Sequence, residues 1–220
     1  MNFFSNFITK FSIFKRDNLN RRKSLWSELY KGRKFYIIDD IILSNISKIE
    51  RNDFLIDNKK KINKKAKDIL EELNIEYSYI SYNRAPDTIE EKLKVDESIN
   101  VKGIKNLLFR TNSKRYFFII TYRDSRFDTK EFREKHNIPK IHLVNDDELK
   151  ELIDSESGRV SILDLINDKE NKISVYIDNE ILNSEYFRFH PFNKLITVKI
   201  KTKDLLGPLM KKLNHEINII

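Results

Sequence analysis

The 220-residue chain has no cysteine, which excludes disulfides, thiolate metal sites and a cysteine nucleophile. That absence fits a reducing compartment, and the cytoplasm is the expected location. Four histidines, His136, His142, His190 and His215, stand too far apart for a zinc-ligand spacing. Glycine is scarce, with only Gly32, Gly103, Gly158 and Gly207, so each marks either a turn or a place where backbone comes close to something else. No run of about 18 apolar residues occurs, so no membrane-spanning helix is expected.

What is present points to a folded, globular chain. Hydrophobic residues make up 40% and aromatics 11%, enough for a real core despite 35% charged residues. The length suits one domain with an extension, or two small domains. The net charge of +8 is unevenly spread. Residues 1–62 carry 14 Lys and Arg against 7 Asp and Glu, a net of +7; the remainder carries 28 against 27, a net of +1. A basic front on a neutral body implies an anionic partner, with nucleic acid ahead of an anionic membrane surface.

Residues 1–57 are expected to be a basic, aromatic-rich extension. Phe4, Phe7, Ile8, Phe11 and Phe14 fall at helical spacing and predict one apolar stripe. That stripe suits a helix docked on the body, or an organelle-targeting or membrane-surface helix. Within residues 34–44, Asp39 and Asp40 fit the turn of a hairpin better than a metal site, because adjacent strand residues point to opposite faces.

The body is expected to span residues 58–220. Ile62, Ala66, Ile69, Leu70 and Leu73 predict an amphipathic helix. Its charges oppose the helix dipole, with Lys59, Lys60, Lys61, Lys64 and Lys65 at the positive end and Glu71 and Glu72 at the negative end. Such an end attracts phosphate, and a merely solvated lysine face is the equal alternative. Strands follow at 77–82, 104–109, 116–122, 141–143, 173–177, 186–189 and 195–201. Helices are expected at 88–94, 128–135, 146–153 and 204–213. Without regular βαβ alternation, the fold class is α+β, a mixed β-sheet flanked by helices.

The runs around residues 104–122 are apolar on both faces and predict a hairpin covered above and below. Lys105 is planted inside it, on the face of Leu107 and Phe109. An ammonium there either snorkels from the strand end or serves a site.

Three segments together resemble the YbaK/ProX family of aminoacyl-tRNA deacylases, which includes the editing domain associated with prolyl-tRNA synthetase. Gly103-Ile104-Lys105-Asn106-Leu107-Leu108 is similar to the family's Lys-Asn-Leu strand. Gly158-Arg159-Val160-Ser161-Ile162, trailed by Leu165-Ile166-Asn167-Asp168, resembles its Gly-x-Val-x-Pro loop. Phe189-His190-Pro191 with Thr197-Val198 resembles its His-Pro…Thr segment. The likeness covers roughly residues 60–220.

The resemblance implies hydrolysis of the ester joining a wrong amino acid to tRNA, Ala-tRNA(Pro) foremost. It implies no cofactor, with mischarged tRNA and prolyl-tRNA synthetase as partners. Lys105 and Asn106 would be catalytic. Gly158, Arg159, Val160, Ser161, His190 and Thr197 would bind the substrate. By their charge at the positive end of the first helix of the body, Lys59, Lys60, Lys61 and Lys64 would bind tRNA. Ile162 stands where the family has its loop proline, and Lys194 where it has an Asn. A non-catalytic, tRNA-binding relative that keeps the fold is the alternative those departures leave open.

Overall fold

The computed structural model describes residues 54–220. The N-terminal stripe and the Asp39-Asp40 turn lie outside the described residues. The described chain opens against the body: Phe54 is buried beside Tyr82, and Ile56 forms an isolated antiparallel bridge with Tyr82.

Asn63 caps helix α1 (Lys64–Glu72) by accepting from the Lys65 amide. Ala66, Ile69 and Leu70 form its buried face, as the spacing predicts. Strand β1 (Tyr77–Ser81) follows, then helix α2 (Ile89–Ile99). The cap of α2 is Thr88, in a capping box closed by Glu91. Glu91 is buried and held by the Arg84 guanidinium at 2.6 Å, with Asp87 and Thr88 amides donating to it. These donors keep its carboxyl at about 2.

Strands β2 (Ile104–Thr111) and β3 (Tyr116–Tyr122) form the expected antiparallel hairpin, with Lys105 opposite Thr121 and Asn106 opposite Ile120. Helix α3 (Thr129–Lys135), strand β4 (Ile141–Leu143) and helix α4 (Asp146–Ile153) come next. A 3-10 helix covers Ile162–Asn167, followed by β5 (Ile173–Ile177), the single turn α5 (Asn179–Leu182), β6 (Tyr186–Phe189) and β7 (Ile196–Lys201). The last helix widens into a π turn at Leu205–Leu209, which accommodates Pro208, before closing with Met210–Leu213. A short strand β8 (Ile217–Ile219), not foreseen from the sequence, ends the chain.

These strands make two sheets: a three-stranded antiparallel one in the order β1-β7-β6, and a five-stranded mixed one in the order β4-β2-β3-β5-β8. The fold is α+β with helices flanking the sheets. One face of β2 and β3 (Leu108, Phe118, Ile120) joins the main core, which also takes Phe187, Phe189, Val198 and Ile200 from the smaller sheet. The opposite face (Phe109, Phe117, Ile119) packs on Phe132, Ile138 and Tyr176. Coverage on both faces is why these strands show no alternation of apolar and polar residues.

Candidate functional site

Among the described residues, β4 pairs only with Phe109 to Thr111, so the first half of β2 keeps one strand neighbour, β3. The Lys-Asn pair therefore sits on the part of the large sheet that another segment can approach. The segment that does so is the glycine loop. Asn106 Nδ2 donates to the Val160 carbonyl at 2.8 Å, across 54 residues of sequence. This bond fixes which end of the amide is which, because only the NH2 group can donate to a carbonyl. Among the described residues, Asn106 Oδ1 is then a buried acceptor without a partner.

The loop itself is built from three features. Gly158 has φ +77°, a left-handed conformation that a side chain would strain, and a Cβ there would meet nothing within 4 Å. Arg159 turns back, donating from Nη2 to the Asp154 carbonyl at 2.5 Å. Below the loop, Asp164 is fully buried and its Oδ2 accepts from the Ser161 amide at 2.9 Å and the Ser155 hydroxyl at 2.7 Å. Burial is the main influence on this carboxyl and raises it to about 6. Among the described residues, Asp164 Oδ1 is also buried without a partner. Ile162 starts the 3-10 helix, the position where a proline is tolerated, and its side chain is fully buried in the main core.

Lys105 lies on the other face of β2. Its ammonium donates to the Ser125 carbonyl and, at 3.4 Å, to the Arg123 carbonyl, both in the turn after β3. Both partners are neutral oxygens, and among the described residues no carboxylate pairs with this ammonium.

His190 ends β6. Its Nδ1 lies 2.8 Å from the Ile196 carbonyl, so Nδ1 carries the hydrogen and Nε2 is left as a bare acceptor. Burial lowers its pKa, which favours the neutral ring. Phe192, two residues on, has φ +57° and lies under the Lys65 ammonium, 4.8 Å from the ring centroid. Thr197 is fully buried, and its hydroxyl shares a short hydrogen bond with the Tyr82 hydroxyl. Strand alternation puts Thr197 on the face of β7 opposite Ile196 and Val198, hence away from the main core. The structure thus brings Asn106 and Val160 together, and sends Lys105 and Thr197 to other faces of their sheets.

Lys59, Lys61 and Lys64 are exposed at the start of α1, and Lys60 is partly buried, its amide donating to Ser81 Oγ at 3.1 Å. Among the described residues, no group of three or more His, Asp and Glu side chains is placed to hold a metal ion. No described helix is long and apolar enough to cross a membrane.

One cluster escaped the sequence reading. Asp96 on α2 accepts from Arg123, Arg188 and the Gly103 amide. The signal for it was Arg188, a charged residue inside the aromatic strand Tyr186–Phe189.

Comparison with known proteins bears on the fold and the family. A protein from Danio rerio, prolyl-tRNA synthetase associated domain-containing protein 1, is 24% identical over 147 residues, covering 66% of this chain and 79% of that protein. The crystal structure of a candidate trans-editing enzyme for prolyl tRNA synthetase aligns with a TM-score of 0.52 at 12% identity, over 72% of this chain and 98% of that one. A hypothetical protein, APE2540, aligns with a TM-score of 0.53 at 13% identity, over 70% of this chain and 97% of that one. These two structural likenesses concern the fold. The family model of the aminoacyl-tRNA editing domain matches residues 85–207, more than half of the chain and both the Lys-Asn strand and the glycine loop, and the chain belongs to that family.

Proposed function

We propose that the chain is an aminoacyl-tRNA deacylase that hydrolyses the ester of a mischarged tRNA, with Ala-tRNA(Pro) as the leading substrate. The observation that carries this reading is Asn106. It ties the β2 strand to the glycine loop through one half of its amide and leaves the other half, Oδ1, buried and unbonded. A buried acceptor without a partner costs about 1–3 kcal/mol, which a ligand donor recovers. The free α-ammonium of an aminoacyl ester is such a donor.

The reaction needs water to add to the ester carbonyl carbon, an oxyanion to be stabilised, and the ribose oxygen to leave with a proton. Lys105 supplies a cation that no carboxylate among the described residues neutralises, and the family resemblance gives it the charge that develops in the transition state to stabilise. The backbone of Gly158 to Ser161 bounds the acyl group, and its size limit favours alanine over proline. His190 offers the neutral Nε2 as an acceptor toward the substrate. In the family resemblance, water is activated with help from the terminal ribose hydroxyl, so no protein base is required.

Lys59, Lys60, Lys61 and Lys64 hold tRNA phosphates beside the positive end of α1, and residues 1–57 add charge to that contact. Prolyl-tRNA synthetase is the partner expected to release the substrate. A non-catalytic tRNA binder is the second reading, favoured by Lys105 and Asn106 lying on opposite faces of β2.

The test is single-turnover hydrolysis of a panel of mischarged tRNAs, with Pro-tRNA(Pro) as the control. Cleavage of Ala-tRNA(Pro) with Pro-tRNA(Pro) spared, and a loss of about 100-fold or more in Lys105→Ala, supports the proposal. Equal rates on the two esters refute the size limit. Binding of tRNA without cleavage of any ester establishes the second reading.

A further inference from the structure

Lys105 does not choose its own position. The two carbonyls that hold its ammonium belong to Arg123 and Ser125, in the turn that leaves β3. That turn is anchored at Arg123, whose amide donates to the Gly103 carbonyl at 2.8 Å. The Arg123 guanidinium then forks onto Asp96, with Nη2 2.8 Å from Oδ2 and Nη1 3.2 Å from Oδ1. The same carboxylate accepts from Arg188 Nη1 at 2.6 Å and from the Gly103 amide at 3.0 Å. Arg188 adds a bond to the Val101 carbonyl at 3.2 Å.

One carboxylate thus ties together the end of α2, the entry to β2, the exit from β3 and the middle of β6. Fork geometry fixes orientation as well as distance, so Arg123 is held in a plane. Asp96 is also the only carboxylate that Arg188 bonds among the described ion pairs. Without it, Arg188 loses its carboxylate, and Arg123 keeps its amide bond to Gly103 and the neighbouring Asp124, 3.4 Å from Nε, but loses the fork that fixes the guanidinium and the turn carrying the Arg123 and Ser125 carbonyls.

We infer that Asp96 is a positioning residue for Lys105, acting through Arg123 to set where the ammonium is held. The inference rests on the reading of Lys105 as the catalytic cation, and a displacement of a catalytic group by about 1 Å is enough to cost roughly 100-fold in rate.

The test uses the full chain with Asp96→Asn, Arg123→Lys, Lys105→Ala and the double variant Asp96→Asn/Lys105→Ala. Three quantities are measured: the single-turnover rate on mischarged tRNA, the Kd for tRNA, and the rate at which an amine acylating reagent modifies Lys105, followed by mass spectrometry. Asp96→Asn is expected to lower the rate by about 10- to 100-fold at unchanged Kd, and to have no further effect once Lys105 is alanine. Labelling of Lys105 should quicken several-fold in Asp96→Asn and in Arg123→Lys. An equal rate loss with and without Lys105 overturns the inference, as does unchanged labelling in variants whose circular dichroism matches wild type. If wild type cleaves no ester, the deacylase reading fails, while the labelling still decides whether Asp96 positions the amine. Should Asp96→Asn fail to fold, Arg123→Lys carries the same comparison with the charge retained.

Discussion

Gly103 lies directly beneath the guanidinium of Arg123: a Cβ added to Gly103 would stand 2.8 Å from Arg123 Cζ and 3.1 Å from Asp96 Oδ1. The glycine is there so that an arginine can pass over it to reach a carboxylate. Gly103→Ala must push the flexible guanidinium aside, and the fork onto Asp96 gives way. The expected loss of stability is about 1–3 kcal/mol, the usual cost of unmaking charge-assisted hydrogen bonds. Urea unfolding measures it. A variant as stable as wild type would show that Arg123 finds another route to Asp96.

Asn106 leads to a prediction about the substrate. If Oδ1 receives the α-ammonium, then N-acetyl-Ala-tRNA, which has lost two donors and the charge, should be hydrolysed about 10- to 100-fold more slowly than Ala-tRNA, as for a site built to bond a group that is missing. Asn106→Ala should erase that preference while slowing both substrates. Equal rates on the acetylated and free esters in wild type would remove Asn106 Oδ1 from the substrate.

Asp164 makes stability depend on pH. Its carboxyl is raised to about 6 in the folded chain from an ordinary value of 3.8, chiefly by burial. Between these values the folded state binds the proton more tightly than the unfolded state. Stability from this group is therefore fully present below about pH 4, declines as pH rises through 6, and is flat above. The full effect is on the order of 3 kcal/mol. Wild type should lose stability between pH 5 and pH 7.5 relative to Asp164→Asn, whose amide does not titrate. Parallel urea midpoints for the two proteins over that range would sink the prediction.

The α1 lysines predict a salt effect. Replacing Lys59, Lys61 and Lys64 by Gln should weaken tRNA binding at moderate salt and reduce the slope of log K against log salt by about 1 for each phosphate contact removed. Discrimination among amino acids should not change, since phosphates carry no information about the acyl group. The check is a series of binding isotherms at several salt concentrations. An unaltered slope would place the tRNA elsewhere.

How much of this was legible in the sequence differs from element to element. The β2–β3 hairpin was plain, because strands covered on both faces need apolar residues at every position, and such runs stand out in a chain so rich in charge. Helices α1 and α4 were plain for a related reason, since each buries residues at helical spacing, and α1, α3 and α4 are each started by an Asn or Asp whose side chain caps the helix. The strand β8 was not, since three residues at the chain end carry no period and gain their partners only from β5. The Lys-Asn strand, the glycine loop and the His-Pro turn were each visible as short motifs. Their identities follow from local chemistry, a left-handed glycine or a lysine in an apolar run, which the order of residues alone determines. Which of them touch was decided by the tertiary structure. Strand alternation separates Lys105 from Asn106, and only the approach of the loop to β2 selects Asn106 as the residue that meets Val160. The Asp96 cluster is the extreme case. Its members come from α2, the residues flanking β2 and β3, and β6, and no local pattern joins them. A buried charge is stable only where counter-charge and donors converge on it, and that convergence is a property of the folded chain.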